Sequence, residues 1–162
     1  MNIFEYGMQM EKDGEKFFRD LAEKCGDPGL ANILTMLADA EIKHYDVLKQ
    51  MRDKTAAKLA ETKTLLSDSK NVFEQMKEAG GEFDFKSSQI ELFKQAQEIE
   101  RKSETFYLQK AEELEDPAQQ EILKKIAAEE KQHFHLIGNI IEFVNSPNSW
   151  LENAEWHHLS DF

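Results

Sequence analysis

The sequence predicts an all-α fold. It is a four-helix bundle of two repeated antiparallel helical hairpins, with one long crossover connection and a short C-terminal tail. Three observations carry this expectation. Apolar residues recur at spacings of three and four over long segments, the period of a helix with one buried face. Only three Pro and seven Gly occur in 162 residues, so long stretches lack breakers. The first part of the chain also reappears without a gap in the second.

The first helix carries Phe4, Met8, Met10, Phe17, Phe18, Leu21 and Ala22 on its apolar stripe and ends at Gly26-Asp27-Pro28. Asp27 is placed to cap the next helix, with Pro28 at its first position, where a missing N–H costs nothing. The second helix runs through Leu30, Ile33, Leu34, Leu37, Ala38, Leu48 and Met51. After about residue 62 the pattern breaks at "LLSDSK"; Ser67 or Asp68 caps a short helix through Val72, Phe73 and Met76, stopped by Gly80-Gly81. Ser87 or Ser88 caps a third long helix, with Glu91 as the capping-box partner of Ser88. Asp116-Pro117 opens the fourth, which Ser146-Pro147 ends. The expected organisation is therefore one bundle over 1–145, with hairpins at about 3–62 and 87–145, a crossover over 63–86 and an amphipathic tail over 146–162.

Composition narrows the function. A net charge of -12 argues against nucleic acid or an anionic membrane as partner, since both require a cationic surface. It also leaves carboxylates to spare for hard cations. The single Cys25 excludes an internal disulfide, an all-Cys zinc site and a four-Cys iron site. "MNIFEYGMQMEKDGEKFF" has neither a basic n-region nor an unbroken apolar run, and no segment of about 18 apolar residues occurs; a cytoplasmic location is the expectation.

The chemistry lies in the repeat. "AEIKHY" (Ala40 to Tyr45) sets Glu41 three residues before His44, a spacing of little meaning alone. Laid over itself with His44 on His133, the chain matches Glu11 with Glu100, Glu15 with Glu104, Phe17 with Phe106, Asp27 with Asp116, Pro28 with Pro117 and Glu41 with Glu130. Ala22, Glu23, Ile33, Leu34 and Ala38 also find identical mates, where chance would give roughly two or three identities. A pseudo-two-fold axis should relate the hairpins. Glu155-x-x-His158 in the tail has no such mate and reads as a coincidence.

The heights agree. Glu11 lies about 15 residues before the first turn, and Glu41 and His44 about 15 to 17 after it, so in an antiparallel pair they differ by only about one or two Å. Glu100, Glu130 and His133 repeat the arrangement, and residues three apart share a helix face. Four inward carboxylates cannot stay buried unpaired; two cations would neutralise them. Oxygen ligands with one imidazole per metal suit iron or manganese. One Glu from each of two helices plus Glu-x-x-His from the other two is the di-iron carboxylate pattern.

These stretches, "MEKDGEKFFRDLAEK", "DAEIKHYDVL", "EIERKSETFYLQKAEE" and "AEEKQHFHLI", resemble the ferritin-like superfamily and, within it, the rubrerythrin-type di-iron proteins, over residues 3 to 145. The resemblance implies two iron ions, with manganese or zinc as substitutes, on Glu11, Glu41, His44, Glu100, Glu130 and His133, Glu41 and Glu130 bridging. It implies reduction of hydrogen peroxide or dioxygen. The rubredoxin domain of rubrerythrins proper has no counterpart, so an external electron donor such as a rubredoxin-like protein is expected. Rubrerythrins also carry a further Glu three residues after the third-helix ligand; here that position is Ser103, with Glu104 next to it.

Other residues have two readings. Glu15 and Glu104 are either surface charges or auxiliary groups at the centre. Tyr107, two turns past Glu100, either orients a ligating carboxylate or packs in the core; its mate is Phe18. Gly14 and Ser103 either open a channel for a small oxidant or allow close packing. His135 is expected to be exposed and Cys25 buried and inert. Trp150, Leu151 and Trp156 form a packing or dimer patch, and a homodimer is expected. Beside a peroxidase-like oxidoreductase stand two alternatives: an iron-binding, ferroxidase or storage protein, and a structural metal-binding bundle without turnover.

Overall fold

The computed structural model describes residues 2–53, 64–79, 85 and 87–152. Within them every regular element is a helix: α1 (Ile3–Lys24), α2 (Pro28–Arg52), α3 (Thr64–Ala79), α4 (Ser87–Glu113), α5 (Pro117–Asn145) and α6 (Pro147–Glu152). The two hairpins are α1 with α2 and α4 with α5. Smaller contacts join α1 to α4 and α2 to α5, which sets the hairpins side by side as a four-helix bundle.

The turn chemistry is local. Asp27 accepts a hydrogen bond from the Leu30 N–H at 2.8 Å, and Asp116 accepts one from Ala118 N–H at 2.9 Å. Each is followed by Pro at the first helical turn. Cys25 caps α1, and Gly26 adopts φ +74, the left-handed conformation that reverses the chain at no Cβ cost. Asn2 caps α1 at its start by accepting from the Glu5 N–H, a cap the periodicity does not announce.

Two apolar clusters fill the bundle. One joins the first turn (Phe18, Leu30, Ile33, Leu37) to the far ends of the second hairpin (Phe93, Ile140, Phe143). The other joins the open end of the first hairpin (Met8, Leu48, Met51) to the second turn (Tyr107, Leu123, Ile126). The turns therefore sit at opposite ends of the bundle, and the level of Glu11 and Glu41 falls between the clusters.

Helix α3 lies against α2 and α6. Its Phe73 is fully buried and meets the rings of Phe143 and Trp150 edge-on, at 5.7 and 4.8 Å between centroids. Burying such a ring contributes about 1.5–3 kcal/mol, which ties the crossover to the bundle. Gly29 permits the close approach: a Cβ there would stand 2.6 Å from Met76 Sδ.

Two expectations about helix starts are corrected. Helix α3 already includes Thr64, so neither Ser67 nor Asp68 begins it. Ser88 lies inside α4 rather than capping it. Of the two readings of the tail patch, packing holds for Trp150 and Leu151, which join the protein's own core, Trp150 also donating to Glu142 Oε2 at 3.3 Å. Helix α2 ends at Arg52; residues 54–62 of the expected first hairpin, Gly80-Gly81, Trp156, Glu155 and His158 lie outside the described residues.

Candidate metal centre

Each long helix delivers its share of one polar layer. Glu11 comes from α1, Glu41 and His44 from α2, Glu100 from α4, and Glu130 and His133 from α5; all six are at most 3% exposed. They fall into two groups whose ligand atoms lie within 4.8 Å of one another: Glu11, Glu41, His44 and Glu130, and Glu41, Glu100, Glu130 and His133. Glu41 and Glu130 belong to both. The imidazoles face each other at 5.9 Å between centroids, 16° from parallel. His44 Nδ1 lies 2.8 Å from Glu130 Oε1 and 3.5 Å from Glu11 Oε1, and His133 Nδ1 lies 3.5 Å from Glu100 Oε2.

The layer fits a pair of cations. Nine buried side-chain polar atoms among the described residues lack a hydrogen-bond partner, and eight belong to these six residues. They are six carboxylate oxygens and the two Nδ1 atoms. Folded proteins rarely leave such atoms unpaired, and concentrating them in one layer is costly unless positive charge meets them. The remaining orphan, Ser69 Oγ, lies in α3.

Protonation shows the same strain. Burial, then the charges of Glu100, Glu11 and Glu130, hold the Glu41 carboxyl well above the usual carboxylate range. Burial, then Glu100 and Glu11, do the same to Glu130, and burial raises Glu100. For Glu11 burial pushes up, but His44 and hydrogen bonds with Glu41, His44 and Tyr107 outweigh it and hold the group low. Burial would lower His44, yet Glu11, Glu129 and Glu130 raise it well above its ordinary value; His133, without comparable partners, is lowered by burial. The layer keeps protons where cations would go.

Two contacts stand just outside the layer. The Tyr107 hydroxyl donates to Glu11 Oε1 at 2.6 Å, so besides packing in the core the residue makes the bond that the orienting reading requires. Gly7 makes room for it, since a Cβ there would come within 3.3 Å of the ring. His44 Nε2 lies 2.8 Å from Glu129 Oε1. With the ring proton on Nε2, His44 donates to Glu129 and turns its Nδ1 lone pair toward the layer. Glu129 is the residue that sequence reasoning missed. Its position in the repeat is matched by Ala40, so a search for paired positions passes over it.

Tyr107→Phe leaves the buried Glu11 carboxylate without its donor. The metal-free variant is expected to lose about 1.5–3 kcal/mol in a urea titration. A loss below about 0.5 kcal/mol would show that the bond carries no weight.

The other candidates are placed as follows. Glu15 pairs with Arg19 at 2.9 Å and Lys12 at 3.7 Å on the half-buried rim, and neither Glu15 nor Glu104 joins the two groups. Of the two readings of Gly14, close packing is seen. A Cβ there would lie 3.2 Å from Glu41 Oε2, and Gly14 and Ser103 line a groove of about 390 Å³ between α1 and α4, walled mainly by Met10, Phe17, Ile99 and Phe106. His135 is half-buried rather than exposed, its ring 5.6 Å from that of Phe134. Cys25 is buried, and burial pushes its thiol up. Among the described residues no helix is long and apolar enough to cross a membrane.

A protein-family model described as rubrerythrin matches residues 2–140. The chain matches no curated protein and no solved structure.

Proposed function

From the premise that the chain belongs to the rubrerythrin family, we propose that it is a non-haem di-iron protein that reduces hydrogen peroxide or dioxygen with electrons from an external donor such as a rubredoxin-like protein. The observation that carries this reading is the pair of four-residue groups sharing Glu41 and Glu130, with eight unpartnered ligand atoms between them. Glu11 and His44 would hold one iron, Glu100 and His133 the other, and Glu41 and Glu130 would bridge. Manganese or zinc could replace iron on the same oxygen and nitrogen donors.

When bound, an iron pair supplies two electrons, and reduction of hydrogen peroxide takes these with two protons to give two waters. The chain does the rest. Tyr107 fixes the Glu11 carboxylate through its hydroxyl, and Glu129 fixes the His44 ring. The two apolar clusters exclude water from above and below. The groove at Gly14 and Ser103 is the route we assign to the oxidant: its walls are mainly apolar, which suits a small uncharged molecule, and a Cβ on Gly14, which lines it, would stand only 3.2 Å from Glu41 Oε2. A homodimer working in the cytoplasm completes the reading.

Protein purified without oxygen should contain two irons per chain. Peroxide added to it should change the iron absorbance with an end point of one peroxide per two irons. Iron that no peroxide oxidises would sink the reading. Far more than two irons per chain in a large hollow assembly would favour storage instead.

A further inference from the structure

The repeat makes the two halves of the centre comparable atom by atom, and the comparison is unequal. On one side His44 Nε2 lies 2.8 Å from Glu129 Oε1, and Glu11 accepts from Tyr107 at 2.6 Å. On the other, the position matching Glu129 is Ala40 and the position matching Tyr107 is Phe18, neither of which can make the bond. Among the described residues both Glu100 oxygens are unpartnered, whereas Glu11 leaves only Oε2 so. The ligands were duplicated; their supports were not.

From this we infer that the two metal positions are unequal, and that the position built on His44 takes up metal first and holds it more tightly because Glu129 positions His44. The inference rests on the proposed reading that these six residues hold two metals. Its physical basis is preorganisation. An imidazole fixed by a carboxylate presents one nitrogen in one orientation, and the carboxylate strengthens that nitrogen as a donor. Such outer partners typically change metal affinity by about 10- to 100-fold. Glu129 is 14% exposed in its side chain, close enough to the surface to be replaced without opening a core cavity.

Metal-free protein titrated with Co²⁺, followed by visible absorption and calorimetry, tests this directly. The wild type should bind two ions in two steps whose dissociation constants differ by at least about tenfold. Glu129→Gln should weaken the tighter step by about tenfold and Glu129→Ala by more, with the weaker step unmoved and two ions still bound. Thermal unfolding of metal-free Glu129→Gln should match the wild type, which separates positioning from a structural defect. His44→Ala should remove the tight step and His133→Ala the weak one. Two equal steps in the wild type, or Glu129→Gln shifting both steps or neither, would overturn the inference while leaving the two-metal reading intact. A wild type that binds no Co²⁺ would overturn both.

Discussion

Replacing Glu41 and Glu130 together by glutamine should abolish binding at both metal positions and with it all metal-dependent stabilisation. These two residues are the only members common to both groups, so their loss strips two ligands from each metal position. Glutamine keeps the volume and removes the charge, so no cavity confuses the result. At free metal 100 times its dissociation constant, each site stabilises the wild type by about 2.7 kcal/mol, or about 5 kcal/mol for two. In a domain of this size that raises Tm by roughly 10–20 °C. The double variant should show no rise. Its metal-free form should unfold at or above the wild-type temperature, because glutamine removes two carboxyls that burial and the neighbouring acids make costly to ionise. Thermal scans with and without metal, plus metal analysis, give the answer. A double variant that still binds metal and gains stability from it would refute the shared-carboxylate arrangement.

Stability of the metal-free protein should fall as pH rises above neutrality. The folded state holds Glu41 and Glu130 well above the usual carboxylate range and His44 well above its ordinary value. Raised groups stabilise the fold fully below their unfolded values, and that contribution is lost as pH climbs through their folded ones. Glu11 and His133 are shifted down, so their contributions change only at lower pH and are complete above about pH 6.5. In the window above that, each extra proton bound by the folded state costs about 1.4 kcal/mol per pH unit. Metal reverses the slope. It displaces the same protons, so its affinity should rise with pH and its binding should release protons. Urea titrations at pH 6.5 and 8, with and without metal, should cross in opposite senses. A metal-free protein that gains stability across this range would contradict the protonated layer.

The layer was legible in the sequence because duplication wrote it twice. Glu41 and His44 alone are a weak spacing; Glu130 and His133 at the same offset, with Glu11 and Glu100 at matching height, make them a constellation. Asp27 and Asp116 were legible as caps because Pro follows each directly. What the sequence hid depends on neighbours that only packing supplies. Glu129 looks like one more acid until α5 brings it to His44 across 85 residues. Trp150 looks like a sticky tail residue until α3 offers it Phe73. Helix α3 includes Thr64 because propagation past a candidate cap depends on tertiary contact, which no local signal records. His135 is half-covered although a helical wheel turns it away from the layer.

The position of the layer, about 15 residues from each turn, has a consequence for how this chain can change. One residue inserted anywhere between Glu11 and His44 would rotate one ligand relative to its turn by about 100° and slide it about 1.5 Å. A Glu that faced its neighbours would then face the next helix or water. The lengths of the two hairpins are thus mechanically frozen, like the teeth of a gear. Between α2 and α4 the described residues carry no ligand, and residues can be gained or lost there without turning any of the six donors out of place. Length variation among relatives should therefore collect in that connection and stay out of the hairpins.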